Sequence, residues 1–131
     1  MNTKSMTIAG WVLSGLFALF MFGASAFPKF AGMPVVDETL TQLGWPTDMA
    51  IFIGVIEVAV TVLYLIPRTN ILGAILSTAL LGGAIATQVR VGNPLFSHEL
   101  FGIYLGVVLW GGLWLRSPRL RALFPLAERP A

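Results

Sequence analysis

A carboxylate in the middle of a membrane-length apolar segment is the most chemically suggestive feature of the sequence. Glu57 is the only charged residue between positions 49 and 66. A charged side chain at membrane depth costs roughly 2.5–3.5 kcal/mol on insertion scales, so such residues are rare and usually mark a site. The alternative is a glutamate that only holds helices together. We expect Glu57 to be protonated unless Lys29, Arg90 or His98 approaches it, because an apolar interior disfavours the charged form.

A second group of polar residues provides the other candidates for ligand binding. Thr61 lies one helical turn after Glu57 and could hydrogen-bond its carboxyl group. The remaining candidates would surround the mouth of a cavity with Glu57 deeper inside, and they are Lys29, Gln88, Arg90, His98 and Glu99.

His98 is the only histidine of the chain. Beside Glu99 it could relay protons or bind a ligand oxygen, and the alternative is an interfacial histidine at a helix start. A lone histidine in a chain without cysteine makes a poor metal site, and no second histidine completes an H-E-x-x-H motif. We therefore predict no metal site, and no known motif assigns a catalytic residue.

The composition places these residues in a membrane protein. Of the 131 residues, 56% are hydrophobic and 11% are charged, and the mean hydropathy is +0.84, whereas soluble proteins carry about 25% charged residues. Four apolar stretches approach the ~20 residues that cross a bilayer. We predict one all-α domain, residues 1–131, with spans at about 7–27, 49–66, 71–89 and 94–115. The lack of cysteine excludes disulfides and thiolate-bound cofactors.

The charge distribution predicts the orientation of the spans. Six of the eight Lys and Arg residues fall on the side that holds both termini and the second loop, and cytoplasmic loops carry such an excess. We expect cytoplasmic termini and a location in the bacterial inner (plasma) membrane, with contacts to lipid and none to nucleic acid. Ala24-Ser25-Ala26 resembles a signal-peptide cleavage site, but the preceding apolar stretch exceeds the usual ~7–15 residues, so we interpret it as the first span.

The connections between the spans differ in length. Residues 67–70 form a tight turn, so the second and third spans should be an antiparallel hairpin. In the long first external loop, apolar residues recur at helical spacing between 35 and 43, which indicates a short interfacial helix, with a plain loop as the alternative. Gly102 and Gly106 form a G-x-x-x-G pair that lets helices approach closely, within one bundle or between protomers. Residues 116–131 are predicted to be a basic cytoplasmic tail that acts as a topology signal.

Together these segments resemble the DoxX-like family of small four-span membrane proteins over about residues 8–123. The resemblance is carried by G-A-S-A-F-P-K-F, G-V-I-E, A-T-Q-V-R-V-G and Y-L-G in the first to fourth spans. It implies an antiparallel four-helix transmembrane bundle, and it marks Lys29, Glu57 and Arg90 as family positions. Members of the wider family have been linked to quinone-coupled sulfur oxidation, to redox stress complexes, and to chaperone or cargo-receptor roles.

Two main hypotheses about function follow. The first is a redox-linked membrane subunit that binds a quinone or similar lipophilic molecule around Glu57, with Arg90, Gln88 or His98 hydrogen-bonding the ring. The second is a non-enzymatic scaffold or assembly factor that recognises a helix of a partner membrane protein through its small residues and Glu57. Whether the chain also forms a homo-oligomer stays open. A carrier for a lipophilic solute is a third, less favoured because the chain shows no internal repeat. Whether the protein is an enzyme stays open.

Overall fold

The computed structural model describes residues 2–127, and all regular structure in this part of the chain is helical. Its α-helices are α1 (Thr3–Leu19), α2 (Phe27–Phe30), α3 (Pro34–Leu43), α4 (Ala50–Leu65), α5 (Asn70–Arg90), α6 (Phe101–Arg116) and α7 (Pro118–Leu123). A π-helical segment, Phe20–Ala26, joins α1 to α2, and a second one, Leu95–Glu99, precedes α6. A 3-10 turn, Thr47–Met49, leads into α4. The predicted all-α class is confirmed.

Four continuous helical stretches are long and apolar enough to cross a membrane. They are Thr3–Phe30, Thr47–Leu65, Asn70–Arg90 and Leu95–Arg116, with lengths of 28, 19, 21 and 22 residues. Each coincides with one predicted span to within a few residues, so the four-span prediction is confirmed. Many large apolar side chains on these helices remain exposed, including Phe52 and Val107, as lipid-facing surfaces require.

The four spans pack as an antiparallel bundle in which each span contacts the next along the chain and the first also contacts the fourth. α1 packs mainly against α6, α4 against α5, and α5 against α6, while the π-helical part of the first span contacts α4. Ser14 in the first half of the first span contacts Tyr64 near the end of the second, whereas Lys29 at the end of the first contacts Glu57 in the middle of the second. The two spans therefore run in opposite directions. The core is formed by Phe17, Met21, Tyr64, Ala74, Leu81, Leu109, Leu113 and Leu120.

Pro28 explains why the first span is not α-helical throughout. Proline has no backbone N–H, and in an α-helix its ring clashes with the carbonyl four residues earlier. The segment Phe20–Ala26 directly before it is π-helical, and the Phe27 N–H closes it onto the Phe22 carbonyl. This i to i+5 pattern widens the helix ahead of the proline. The chain then continues as α2, which packs against α4.

The short helix predicted in the loop between the first two spans is present as α3. Pro34 lies in its first turn, where the missing N–H is not needed, and Gly44 ends it with a left-handed φ of 80°. The N–H groups of Gly44 and Trp45 bond to the carbonyls of Thr41 and Leu40, which is a Schellman motif. Leu40 is buried, so α3 packs onto its neighbours instead of forming a plain loop.

The segment after the fourth span folds back onto the bundle, which the sequence did not predict. Within it, α7 buries Leu120 in the core. Arg121 donates a hydrogen bond to the Trp114 carbonyl near the end of α6, where positive charge is favourable. This part of the predicted tail is therefore packed structure. Residues 128–131, the rest of the predicted tail, lie outside the described residues.

Candidate functional site

An ion pair between the first and second spans lies at the centre of the candidate site. Lys29 Nζ is 2.9 Å from Glu57 Oε1, and the two side chains are only 16% and 7% exposed. The basic residue that approaches Glu57 is therefore Lys29, and the two side chains form an ion pair. An ionised pair inside an apolar bundle is costly to form and is stable only when its remaining polar groups are satisfied.

The hydrogen bonds of Lys29 leave one oxygen of Glu57 without a partner. Besides Glu57, Lys29 Nζ donates to the Ser25 carbonyl at 2.9 Å and to Ser25 Oγ at 3.1 Å. An ammonium group has three N–H donors, so all three are used. Glu57 Oε2 is buried and has no hydrogen-bond partner among the described residues. The pair therefore leaves one acceptor atom, Glu57 Oε2, without a hydrogen bond.

Two local features bring Lys29 to Glu57. Ser25, which holds the Lys29 ammonium group, lies in the π-helical segment ahead of Pro28, and π-helical turns occur frequently at functional sites. On the facing helix, a methyl group added at Gly54 would lie 3.1 Å from the Phe30 ring and 3.5 Å from Lys29 Cβ. The absence of a side chain at Gly54 thus lets the end of the first span close onto α4, one turn from Glu57.

Thr61 lies close to Glu57 but does not contact its carboxyl group. The Thr61 hydroxyl donates to the Glu57 backbone carbonyl at 2.7 Å, so the predicted hydrogen bond to the side chain is not formed. A threonine one turn away on a helix satisfies its hydroxyl on that carbonyl without reorientation. Thr61 is fully buried, and its position beside the site is structural.

The other predicted members of the cavity mouth make contacts with neighbours of their own. Arg90 donates to the Leu43 carbonyl at the C-terminal end of α3, where it ties the loop helix to the third span. The Gln88 side chain accepts a hydrogen bond from Asn93. Among the described residues, no hydrogen bond or ion pair joins either residue to Glu57.

His98 and Glu99 make no hydrogen bond or ion pair with Lys29 or Glu57 in the described part of the chain. His98 is exposed and its Nδ1 is 2.7 Å from Ser97 Oγ. Glu99 is half-buried. Within residues 2–127, no group of three or more His, Asp or Glu side chains could hold a metal ion.

The structure also contains a buried polar cluster that the sequence did not indicate. Tyr64 is fully buried, its hydroxyl lies 2.9 Å from Ser14 Oγ, and it donates to the Leu109 carbonyl. Arg116 Nε donates to Ser14 Oγ at 2.9 Å, and its Nη2 donates to the Tyr64 carbonyl at 3.0 Å. The Arg116 guanidinium lies 4.1 Å from the Trp11 ring centroid. Arg116, interpreted from sequence as a topology signal, thus links three spans.

One sequence signal could have revealed this cluster. Gly10 and Ser14 are four residues apart in the first span, which is the small-x-x-x-small pattern of close helix contacts. A methyl group added at Gly10 would lie 2.7 Å from the Gly112 carbonyl oxygen. The backbones of α1 and α6 therefore approach closely there, which brings Ser14 within reach of Arg116.

Two cavities open on the surface of the bundle. A groove of about 630 Å³ runs between α5 and α6 and is lined almost entirely by apolar groups, among them Ile85, Val107 and Trp110. A cavity of about 550 Å³ lies near the turn between α4 and α5 and the start of α7. Neither of these two cavities is lined by Lys29 or Glu57.

One family of known proteins is similar to most of the chain. A model of the DoxX-like family matches residues 12–112, a stretch that contains Lys29, Glu57 and Arg90. No curated protein matches the chain significantly. No solved structure matches it significantly either.

Proposed function

The chain belongs to the DoxX-like family and is an integral membrane protein with four apolar helices, and from this premise we propose that it binds a lipophilic small molecule of the quinol type beside the Lys29–Glu57 pair. The observation that carries the proposal is the buried, unpartnered Oε2 of Glu57. Buried polar atoms almost always have a partner, and each exception calls for an explanation.

The unpartnered Glu57 Oε2 determines which kind of ligand could bind beside the pair. An ionised carboxylate only accepts hydrogen bonds, and the three donors of Lys29 are already used. A ligand that satisfies Glu57 Oε2 must therefore bring its own donor. A quinol hydroxyl does so, whereas a quinone has only carbonyl acceptors. The possible ligands are thus limited to the reduced form, a quinol, or to another lipophile with a hydroxyl group.

The surroundings of the pair are suited to an apolar ring. The Phe30 ring covers Gly54 and is 45% exposed, so rotation of this ring would open a path from the bilayer towards Glu57. In this role the chain is the membrane subunit of a redox system. The electron acceptor would then lie on a partner protein.

The test is the binding of a short-chain quinol, such as decylubiquinol, to detergent-purified protein under anaerobic conditions, followed by native mass spectrometry. We expect a bound quinol on the wild type and a loss of affinity of about tenfold or more in Glu57→Gln, the scale of a hydrogen bond to a charged group. Glu38→Gln, an exposed carboxylate on α3, is the matched control. Equal binding by the two variants, or none by the wild type, would contradict the proposal.

A scaffold role is the second candidate, and the groove between α5 and α6 favours it. Nothing lies within 4 Å of a methyl group added at Gly82, Gly83 or Gly106, so these small residues are open to a helix of another protein. We expect Gly106→Leu to release a partner that co-purifies with the wild type. Gly15→Leu, at an equally open site on α1, should retain it. Retention of the partner by both variants would remove the groove from the interface.

A further inference from the structure

The cavity of about 550 Å³ at the end of the bundle that carries the termini is a basic site outside the region of Glu57. Its lining includes Arg68, Asn70, Ile71, Arg116, Ser117 and Arg119. No acidic residue of the described chain lines it. Three arginines that line one cavity without a carboxylate make a positive site, which favours an anion.

The three arginine side chains differ in how firmly they are held by their neighbours. Arg116 is fixed, because it donates to Ser14 and to the Tyr64 carbonyl and lies against the Trp11 ring. Arg68 and Arg119 are exposed, and neither side chain makes a hydrogen bond or ion pair with another described residue. One charge is therefore held in place at the cavity, while two others can adjust to a ligand.

The start of α5 adds to the positive character of the cavity. The helix begins at Asn70, and among the described residues no side chain caps it. The free N–H groups and the positive end of the helix dipole favour an anion at this position. Asn70 and Ser117 add neutral hydrogen-bonding side chains to the same lining. Phosphate oxygens are strong acceptors that suit both arginine and backbone donors.

The apolar part of the lining indicates which phosphate is bound. Ile71 and Leu72 line the cavity beside the arginines, and they begin a helix that crosses the membrane. Basic pockets at the ends of transmembrane helices bind anionic lipid head groups. We propose that this cavity binds the phosphate of an anionic phospholipid, with Arg68, Arg116 and Arg119 around the head group. The proposal is independent of any ligand at Glu57.

The experiment is lipid binding to purified protein in detergent, measured by native mass spectrometry with phosphatidylglycerol, phosphatidylcholine or inorganic phosphate. We expect phosphatidylglycerol to bind in preference to phosphatidylcholine. Arg68→Gln and Arg119→Gln should each lower its affinity by about fivefold, which corresponds to about 1 kcal/mol per basic residue near a membrane surface. Lys4→Gln removes a basic residue that does not line the cavity and should change the affinity by less than twofold.

The results distinguish a specific lipid site at this cavity from a general attraction between anionic lipid and basic residues. Equal losses in Lys4→Gln and Arg68→Gln, or equal binding of the two lipids, would overturn the proposal. Inorganic phosphate that binds as tightly as the lipid and depends on Arg68 would overturn the lipid assignment and support a site for free phosphate. Circular dichroism of each variant verifies the fold, which the exposed positions of Arg68 and Arg119 should leave intact.

Discussion

At the residue scale, the Lys29–Glu57 pair links the first two spans through charges that neither helix could hold alone. Removal of one partner of a buried pair leaves an uncompensated charge and typically costs about 3–5 kcal/mol, whereas replacement of both by apolar residues is often neutral. We therefore expect Lys29→Met to be strongly destabilised, by about 3–5 kcal/mol. The double variant Lys29→Met/Glu57→Leu should recover most of this stability. Thermal unfolding in detergent measures both.

The double variant also separates the structural role of the pair from ligand binding. If the pair forms a ligand site, the double variant should fold well and still fail to bind the quinol. If Lys29→Met is as stable as the wild type, the two charges do not interact as the 2.9 Å distance implies.

Tyr64 is the residue on which the second polar cluster depends. Its hydroxyl contacts Ser14 and donates to the Leu109 carbonyl, and its side chain is fully buried. We expect Tyr64→Phe to lower the free energy of unfolding by about 1–3 kcal/mol, because buried partners lose a hydrogen bond. Tyr104→Phe is the matched control, since the Tyr104 hydroxyl donates to the Phe96 carbonyl at an exposed site. Chemical denaturation of both variants should show the difference, and equal losses would contradict it.

These residue contacts mark the limit of what the sequence could predict about the site. The importance of Glu57 follows from one carboxylate in a long apolar run, which is visible in the sequence. Its pairing with Lys29, and not with Arg90, depends on helix rotation. That rotation is altered by the π-helical segment before Pro28. The depth of a residue in a span can be read from the sequence, but the direction of its side chain cannot.

At the element scale, one glycine of α5 lies against the second span and another faces open space. Substitutions at these two positions therefore test how closely the second and third spans approach. A methyl group at Gly73 would overlap the backbone of Tyr64, whereas nothing lies within 4 Å of one at Gly82. We expect Gly73→Ala to destabilise the bundle by about 1–3 kcal/mol through overpacking. Gly82→Ala should stay within about 0.5 kcal/mol of the wild type. Similar melting temperatures for the two variants would show that the helices are further apart.

The elements themselves were more predictable than their contacts. The four spans follow from runs of apolar residues near the length of a bilayer crossing, and α3 follows from helical spacing between a proline and a glycine. The packed helix α7 was missed because its arginines suggested a solvated tail. In the structure, Leu120 faces the core while Arg121 binds the Trp114 carbonyl. A six-residue helix carries too few apolar residues for its periodicity to stand out.

At the scale of the whole molecule, the bundle has charged residues of both signs in one half and basic residues at the opposite end. Lys29, Glu57 and Arg90 lie in the half that α3 packs against, while Arg68 and Arg116 lie at the end of the termini. The excess of basic residues at that end predicts that it faces the cytoplasm. The native chain has no cysteine, so single cysteines report the orientation without background.

We expect a membrane-impermeant maleimide to label Thr41→Cys and Ser97→Cys in intact cells, and to label Ser5→Cys only after permeabilisation. Each of these residues is exposed, so accessibility depends on the side of the membrane and not on burial. Thr41 lies in α3 and Ser97 before α6, at the end opposite to Ser5, so the first two should always respond together. Labelling of Ser5→Cys alone in intact cells would show that the protein has the opposite orientation in the membrane. That result would also move the cavity around Arg68 to the outer leaflet, where its charge could not follow the positive-inside rule.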